Sequence, residues 1–483
     1  MMVLDEYPVL PEGTYATVRT TAKSYFDDLL TKLRVIELDV NTRGADNTGV
    51  TDSHAIIQAA LDDPYFYKIR IGYSHDDTYL ISQPLVYPSD KEIIIDGEIK
   101  IMDGQTTTLT ADVAIGASTF TVSDPSVFKV GEWVGLYDDA SIKLYSILRC
   151  TSGEITDITG NVITFDSITT YEYKVSKNAR VSHTNSILLG VDVDNVTIRG
   201  NGILDGNRAN QAQIHPTRNV SVIEDQRANC GIVAFRSTNI TVKDITVKNC
   251  QMHNVSVSSL DGVLSAKCSD IRFENCKFFN PNEKNMLFWG VTRAWVNGCY
   301  SDGAQWEDGV NFYAFCTEIF VNNFEATNNG RGGIYITAWN SNGRIEINGL
   351  TTSGNGAGLW VSGRRINITN FINSDGIRLA PTGGEGASVI NITNLISHDI
   401  STTSGSSRYN PVACIYILGG ANKINITNWT AEDNSLPLVK TITDGTGAAV
   451  NVKISTGGVY DHTGTVNDIA VGADVTFTNF TGV

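Results

Sequence analysis

Six charged side chains recur just ahead of short apolar strands in the middle of the chain. They are His253, Glu283, Lys284, Glu307, Asp308 and Arg331. If these strands stack in parallel, equivalent residues of neighbouring strands lie ~4.8 Å apart, so we expect the six side chains to form one cluster. Carboxyl groups beside cations suit cleavage of a glycosidic bond, in which one carboxyl group donates a proton and another activates water or attacks.

The acidic residues of this cluster are the candidate catalytic groups. We expect Glu307 and Asp308, in the turn Trp306–Val310, to be the acid/base or nucleophile pair, with Glu283 as the nearest substitute. A Glu-Asp-Gly turn ahead of a strand can also be a solvated turn without a chemical role, and the same alternative applies to Glu283. The stacked charges favour the catalytic interpretation for Glu307 and Asp308.

A second group of residues could bind a substrate beside these acids. It comprises His253, Lys284, Arg331, Trp306, Tyr313, Tyr335, Trp339, Trp360 and Asp205. Aromatic rings that point outward from a strand would stack on sugar rings, whereas inward ones would only fill the core, and the period of two along a strand provides both. The cations could contact substrate or only neutralise the acids, and an Asp-Gly pair such as Asp205-Gly206 is also a common tight turn.

The elements that must position these residues are the repeats in the last two-thirds of the chain. One pentapeptide stands at Ile366–Asn370, Ile390–Asn394 and Ile424–Asn428, and looser copies precede it. Between Asn275 and Asn394 the copies recur every 21 to 26 residues. Short β-branched runs at such a period, separated by Asn, Asp and Gly turns, are typical of a solenoid of stacked strands. The sequence therefore predicts an all-β chain folded as a β-helix.

The period divides the chain into five segments. They are residues 1–35 (an extension with a helical neck), 36–104 (an amino-terminal cap and the first rungs), 105–185 (a β insertion that breaks the period), 186–440 (the β-helix with its groove) and 441–483 (a carboxyl-terminal β cap). Helical spacing of apolar residues predicts a helix over Tyr25–Leu33 and a second one over Ser53–Leu61, with Asp52 or Ser53 as its N-cap.

The composition argues against some classes of partner. The chain has 483 residues and a formal net charge of −16, so we expect neither a nucleic-acid binder nor a protein that adheres to anionic membranes. We also expect no signal peptide and no transmembrane span, because the amino terminus has no basic stretch followed by an apolar one. The eight Cys show no zinc spacing, and calcium repeats and phosphate loops are absent. We therefore expect no metal and no cofactor.

Two motifs resemble a known family. The Asp-rich loop ahead of the Ser53–Leu61 helix resembles the amino-terminal module of the pectate-lyase-like superfamily. The matching residues are Gly44, Ala45, Gly49 and Asp52, with Asn47 where that family often has Gly. The turn Trp306–Val310 resembles the acidic turn of β-helical polysaccharide hydrolases and phage tailspikes. The resemblance implies a right-handed parallel β-helix, to which the sequence pattern adds the short amino-terminal helix and the small β insertion.

The same resemblance implies a function. It points to the enzymatic part of a phage tailspike or capsule depolymerase, an endo-glycosidase that hydrolyses capsule, exopolysaccharide or O-antigen and assembles as a homotrimer in the virion tail. Two alternatives stay open. A polysaccharide lyase or epimerase acting on a uronic-acid polymer could take its base and its carboxylate-neutralising groups from His253, Lys284 and Arg331. A non-catalytic spike could bind glycan through the aromatic face.

Overall fold

The structure is a computed structural model, and the part of the chain that it describes is almost entirely strand. The described residues are 37–142, 147–211, 227–259, 268–337, 343–362, 365–379, 388–398, 400, 414–418, 422–432, 439–442, 450–460, 467–468 and 474–481. Helical structure is confined there to the α-helix His54–Leu61 and to short 3-10 turns at Val40–Arg43, Pro125–Val127, Val175–Lys177 and Arg208–Asn210. The helix expected over Tyr25–Leu33 lies outside the described residues.

Each rung of the parallel β-helix contributes strands to three parallel stacks. The first stack contains Glu37–Asp39, Lys68–Ile71, Lys91–Ile95, Asp194–Arg199, Thr238–Lys243, Cys268–Glu274, Val291–Asn297, Thr317–Thr327, Ile345–Ser353, Arg365–Asn373, Ser388–His398, Asn422–Glu432, Val450–Tyr460 and Asp474–Thr481. The second stack contains Thr48–Asp52, Thr78–Ile81, Glu98–Ile101, Ile203–Asp205, Thr246–Lys248, Lys277–Phe279 and Tyr300–Asp302, and it merges with the first stack at Thr317–Thr327. Each strand pairs with the equivalent strand of the next rung, as the sequence predicts for a parallel β-helix.

The third stack, called here the site sheet, carries the candidate functional residues. Its strands are Leu85–Val86, Leu188–Val191, Ile232–Phe235, Val255–Ser258, Met286–Trp289, Asp308–Tyr313, Gly332–Thr337, Leu359–Ser362, Ile377–Leu379, Ile415–Leu418, Val439–Ile442 and Asn467–Asp468. The turn that joins the second stack to the site sheet in each rung is called the site turn. Parallel pairing between strands continues to Thr481. This is beyond residue 440, where the sequence suggests that a carboxyl-terminal cap begins.

The repeated pentapeptide explains why these rungs form. Its two Ile side chains point inward and are buried, as at Ile390 and Ile392, and they stack in register on the Ile residues of the next rung. The last Asn of the pentapeptide adopts a left-handed backbone conformation, with φ of 56° at Asn394 and Asn428, which an Asn tolerates better than most residues. Its side chain donates to the Asn below, at 3.1 Å from Asn428 Nδ2 to Asn394 Oδ1, so the bend repeats in each rung.

The predicted insertion is an antiparallel sheet that breaks the solenoid between two rungs. Its strands are Thr106–Thr108, Thr119–Thr121, Trp133–Ile142, Ile147–Thr159, Val162–Phe165 and Arg180–His183. The insertion has a core of its own. A separate apolar contact, which includes Trp133, Tyr137, Leu189 and Val233, joins this sheet to the outer face of the first rungs of the site sheet. The insertion therefore covers one end of that face.

Candidate active site

The site turn brings the predicted charged residues together. Strand pairing aligns Val255, Met286, Val310 and Ile334 in successive rungs. Two adjacent columns of turn residues precede them, His253, Lys284, Asp308 and Gly332 in one and Met252, Glu283, Glu307 and Arg331 in the other. The backbone hydrogen bond from Arg331 N to Glu307 O, at 2.9 Å, shows how closely successive turns stack. The cluster expected from the sequence is therefore present.

Lys284 lies between two of the acidic side chains. Its Nζ atom is 3.4 Å from Oε2 of Glu283 and 3.6 Å from Oε2 of Glu307. The sum of these distances, about 7 Å, is an upper limit for the separation of the two oxygens. Paired carboxyl groups of glycosidases stand roughly 5 to 9.5 Å apart, and the upper limit for Glu283 and Glu307 falls within this range.

Arg331 joins Glu307 to the third acidic side chain, Asp308. Its Nη2 atom is 2.5 Å from Oε2 of Glu307. Nε donates to Oδ1 of Asp308 at 2.9 Å, and Nη2 donates to the other oxygen of the same carboxylate. Asn311 Nδ2 donates a further hydrogen bond to Asp308 at 2.9 Å. Asp308 is thus fully buried and held by both partners, whereas the side chain of Glu307 is 28% exposed.

Burial and charge shift the pKa values of this cluster. Burial raises the pKa of Glu283, Lys284 opposes the rise, and Glu307 adds to it. Burial also raises the pKa of Asp308, and the contact with Arg331 opposes this rise. Burial lowers the pKa of Lys284, but Glu307 and Glu283 outweigh it, so the net shift is upward. Glu283 therefore keeps its proton to a higher pH than an exposed Glu, while Lys284 stays charged.

A row of buried amides supports the site turn from inside and is called here the amide ladder. Asn254 donates to Asn285 at 2.7 Å, Asn285 to Asn329 at 3.2 Å, and Asn329 to Asn355 at 2.8 Å. Asn355 donates to Oδ2 of Asp375 at 2.6 Å. All five side chains are fully buried. Because Asn254 and Asn285 directly follow His253 and Lys284 in the chain, the ladder fixes the backbone that presents the cluster.

The aromatic residues predicted to bind substrate lie on the outer face of the site sheet. Tyr313, Tyr335 and Trp360 are partly exposed, whereas their strand neighbours Phe312 and Ile336 are buried in the core. The ring centroids of Tyr335 and Trp360 are 5.1 Å apart. The guanidinium carbon of Arg331 lies 3.9 Å from the centroid of the Tyr335 ring. The charged cluster therefore borders directly on the aromatic face, because Arg331 contacts Tyr335.

The other predicted binding residues have different surroundings. Trp306 is partly exposed in the site turn, beside Glu307. His253 is fully buried, and burial, together with the charge of Lys284, lowers its pKa well below the ordinary value. This position gives no support to the predicted contact between His253 and substrate. Trp339 lies outside the described residues.

Asp205 lies in the second stack and not in the cluster. Its carboxylate accepts a hydrogen bond from the backbone N of Asn207 at 2.8 Å and lies 3.2 Å from Nζ of Lys248. The side chain is almost completely buried. These contacts are those of the tight turn that the sequence offers as the alternative, so the structure gives no support to the predicted role of Asp205 in binding.

Two groups of residues beside the site are not evident from the separate motifs. The outward-facing residues of the site sheet that follow one another in register from rung to rung are called here the outer column. Asn311 lies in this column, in register with Tyr335, and contacts Asp308. Arg378 and Tyr416 continue the same column beyond Trp360. The sequence signal for Arg378 is a Gly followed by an apolar residue, as in Gly358-Leu-Trp, which recurs at Gly376-Ile-Arg. In the described part of the chain, no group of three or more His, Cys, Asp and Glu residues has the arrangement of a metal site.

Comparison with known proteins gives a family match and a set of similar folds. Residues 148–285 match the family model described as Glycosyl hydrolases family 28. The matched segment includes Glu283 and Lys284 and ends before Glu307. A curated relative, the capsule K1-specific depolymerase of Klebsiella phage K64-1, is 22% identical over 270 residues, which are 54% of this chain and 28% of the relative. The chain thus spans less than a third of the length of that relative.

Solved structures share the fold at low sequence identity. The pre-mature gene product 12 of bacteriophage phi29 superposes with a TM-score of 0.52 at 15% identity, covering 95% of this chain and 58% of the other. The A-module of the mannuronan C-5 epimerase AlgE4 of Azotobacter vinelandii has a TM-score of 0.49 at 12% identity, covering 91% of this chain and 99% of the other. The first of these similarities supports the β-helical fold.

Proposed function

We propose that this pectate-lyase-like parallel β-helix protein is an endo-acting glycoside hydrolase that cleaves a bacterial surface polysaccharide. The observation that carries the proposal is the cluster of Glu283, Lys284, Glu307, Asp308 and Arg331 beside an exposed aromatic face. Paired carboxyl groups supply the chemistry, and aromatic rings supply a surface on which sugar rings stack. This aromatic face lies on the outside of the solenoid, which suits attack within a long polymer.

The geometry favours one division of roles among the acids. Glu283 is the proposed general acid, because burial raises its pKa, which favours the protonated form that is needed at the leaving oxygen. Glu307, the most exposed of the three acids, is the proposed base or nucleophile. The sequence paired Glu307 with Asp308 instead. Because Asp308 is fully buried against Arg331, we propose that it positions the arginine and does not touch the substrate.

The relatives support the substrate class and the setting. The Klebsiella phage relative is described as a depolymerase specific for the K1 capsule, and the family match is to glycosyl hydrolases. We propose by analogy that the substrate is a capsule, exopolysaccharide or O-antigen and that the protein acts in a virion tail. Assembly as a homotrimer stays a prediction.

Elimination is the second candidate reaction, and the electrostatics of the cluster disfavour it. A lyase or epimerase needs a neutral base at the sugar ring. The pKa of Lys284 is raised by Glu307 and Glu283 against the effect of burial, burial raises the pKa of Tyr335 to about 12, and His253 is fully buried. None of these three groups therefore combines access to substrate with the protonation state of a base.

The test is release of reducing ends from purified capsular polysaccharides and lipopolysaccharides. We expect Glu283→Gln and Glu307→Gln to lower kcat by 10²- to 10⁴-fold, the usual range for a lost acid or base, with polymer binding retained. Glu325→Gln, at an exposed Glu in the strand of the next rung that pairs with Tyr300–Asp302, is the matched control and should cleave normally. Products with a ring double bond, detected by ultraviolet absorbance, would instead establish elimination. Binding without any product would establish a non-catalytic spike.

A further inference from the structure

The outer column of the site sheet continues well past the catalytic cluster. Asn311, Tyr335, Trp360, Arg378 and Tyr416 follow one another in register. The guanidinium carbon of Arg378 lies 4.9 Å from the ring centroid of Trp360 and 5.6 Å from that of Tyr416. All three of these side chains are partly exposed. A cation is therefore held between two aromatic rings on the face that leads away from the cluster.

The opposite end of the same face is covered. Leu189 and Val233 occupy the same outer column in the first rungs, and Trp133 and Tyr137 of the insertion pack against them. A polymer that follows the outer column from the cluster thus meets the insertion in one direction and Arg378 in the other. Among the described residues, the exposed part of the column is the part that contains the arginine.

Distance separates Arg378 from the acids of the cluster. Asn311, which contacts Asp308, is three rungs before Arg378 in the column. Three rungs correspond to ~14 Å at ~4.8 Å per rung, which exceeds the Debye length of ~8 Å at physiological ionic strength. A negative charge near Arg378 is therefore screened from the acids of the cluster and also from its cations, Lys284 and Arg331.

We propose that Arg378, held between Trp360 and Tyr416, forms a distal subsite that selects polysaccharides with an acidic sugar a few units away from the scissile bond. This inference rests on the proposed function and names its substrate class. A guanidinium group binds a carboxylate with two parallel hydrogen bonds and keeps its charge at all relevant pH values. The flanking rings hold it in place through cation–π contacts and offer surfaces on which neighbouring sugars stack. Arg378 is thus a specificity residue, separate from the catalytic acids.

The experiment measures binding and not turnover, so it stands apart from the test of catalysis. Affinity electrophoresis of the full chain, in the Glu307→Gln background, is run in gels that contain acidic capsular polysaccharides and in gels that contain the same polymers after reduction of their carboxyl groups. Arg378→Gln is compared with Arg272→Gln. Arg272 is the matched control because its guanidinium carbon lies 3.8 Å from the ring centroid of Trp295, on the first stack and away from the site sheet.

We expect Arg378→Gln to raise the Kd for the acidic polymer about tenfold, the effect of one charge-assisted contact. Its Kd for the carboxyl-reduced polymer should match that of the parent. Arg272→Gln should leave both constants unchanged. The proposal is overturned if Arg378→Gln binds the acidic polymer normally, if it loses both polymers equally, or if the parent chain binds only the carboxyl-reduced polymers. Selective binding that depends on Arg378, without cleavage by the wild-type chain, would uphold the subsite and reject the hydrolase.

Discussion

Replacing Arg331 with Met would leave a charge buried without its cation. Asp308 is fully buried, and Arg331 supplies two of the hydrogen bonds to its carboxylate. The Met side chain retains part of the apolar stem of Arg331 and removes the guanidinium group. The amide of Asn311 then stays as a neutral partner at 2.9 Å. A neutral amide does not offset the cost of keeping a carboxylate out of water.

The expected loss of stability depends on how exposed each of the two acids that contact Arg331 is. Breaking a buried ion pair on one side costs about 3–5 kcal/mol. Glu307 is 28% exposed and still has Lys284 at 3.6 Å, so its loss of Arg331 adds at most about 1 kcal/mol. We therefore expect Arg331→Met to lower the free energy of unfolding by roughly 3–5 kcal/mol. Most of this loss should be recovered in the double variant that also carries Asp308→Asn, because the uncompensated charge is then gone.

Urea unfolding of the wild type, the two single variants and the double variant gives the four free energies of a double-mutant cycle. Arg344→Met is the control for loss of an arginine as such. Arg344 pairs with Glu346 on the first stack, and its side chain is 63% exposed, so we expect a change below about 1 kcal/mol. A cost of that small size for Arg331→Met, or additive effects in the cycle, would refute the argument that Asp308 depends on Arg331.

Three further predictions concern pH and substrate binding. Because burial raises the pKa of Glu283, kcat/KM should stay high above the pH at which a free Glu ionises and fall as the pH rises through the raised pKa; the pH profile of Glu283→Gln should lack this fall. Burial raises the pKa of Asp375 to about 6, so the folded chain binds this proton more tightly than the unfolded chain does. The free energy of unfolding should therefore drop by roughly 3 kcal/mol between about pH 4 and pH 6, and thermal or urea unfolding of Asp375→Asn should show a smaller drop; an unchanged slope would contradict the assignment. Trp360→Ala should raise KM about three- to tenfold through lost stacking at nearly constant kcat, whereas Trp295→Ala, on the first stack, should not; steady-state kinetics on the same polymer distinguish the two.

The repeated strands were predictable because their signal is local and occurs many times. Ile390 and Ile392 are spaced for one face of a strand, and the Asn residues that bound the pentapeptide mark bends. Once the strands are taken as parallel, alignment of their first residues places Glu283, Glu307 and Arg331 in one column. The clustering of these charges therefore follows from the period alone.

Burial within the cluster was not predictable from the same pattern. Glu307 and Asp308 are adjacent in the chain and equally acidic, yet one is partly exposed and the other fully buried. The difference arises because Asp308 begins a strand of the site sheet and is enclosed by Arg331 and Asn311, whereas Glu307 lies in the turn before that strand. The burial of His253 and the turn contacts of Asp205 likewise depend on neighbouring rungs, and no spacing in the sequence reports them.

The amide ladder required three-dimensional information for the same reason. Asn329 and Asn355 both begin an Asn-Gly-x-Gly pattern, but Asn285 does not. The rung between Asn285 and Asn329 supplies Ser301 in place of an Asn, through a hydrogen bond of 2.9 Å from Asn285. Arg378 shows the opposite case. Its place in the outer column could have been predicted by extending the strand alignment to Gly376, since the Gly-apolar signal is present there.

Because whole rungs stack, equivalent positions on the outer face repeat at intervals of ~4.8 Å along the solenoid. Glu307 and Arg378 occupy fixed positions in this repeat, and each keeps its contacts through neighbours in its own and the adjacent rungs. Gain or loss of one complete rung between them would shift the distal subsite by one strand spacing while the chemistry of the cluster stays intact. Related β-helices could in this way acquire preferences for polymers of different repeat length without any substitution among their catalytic residues.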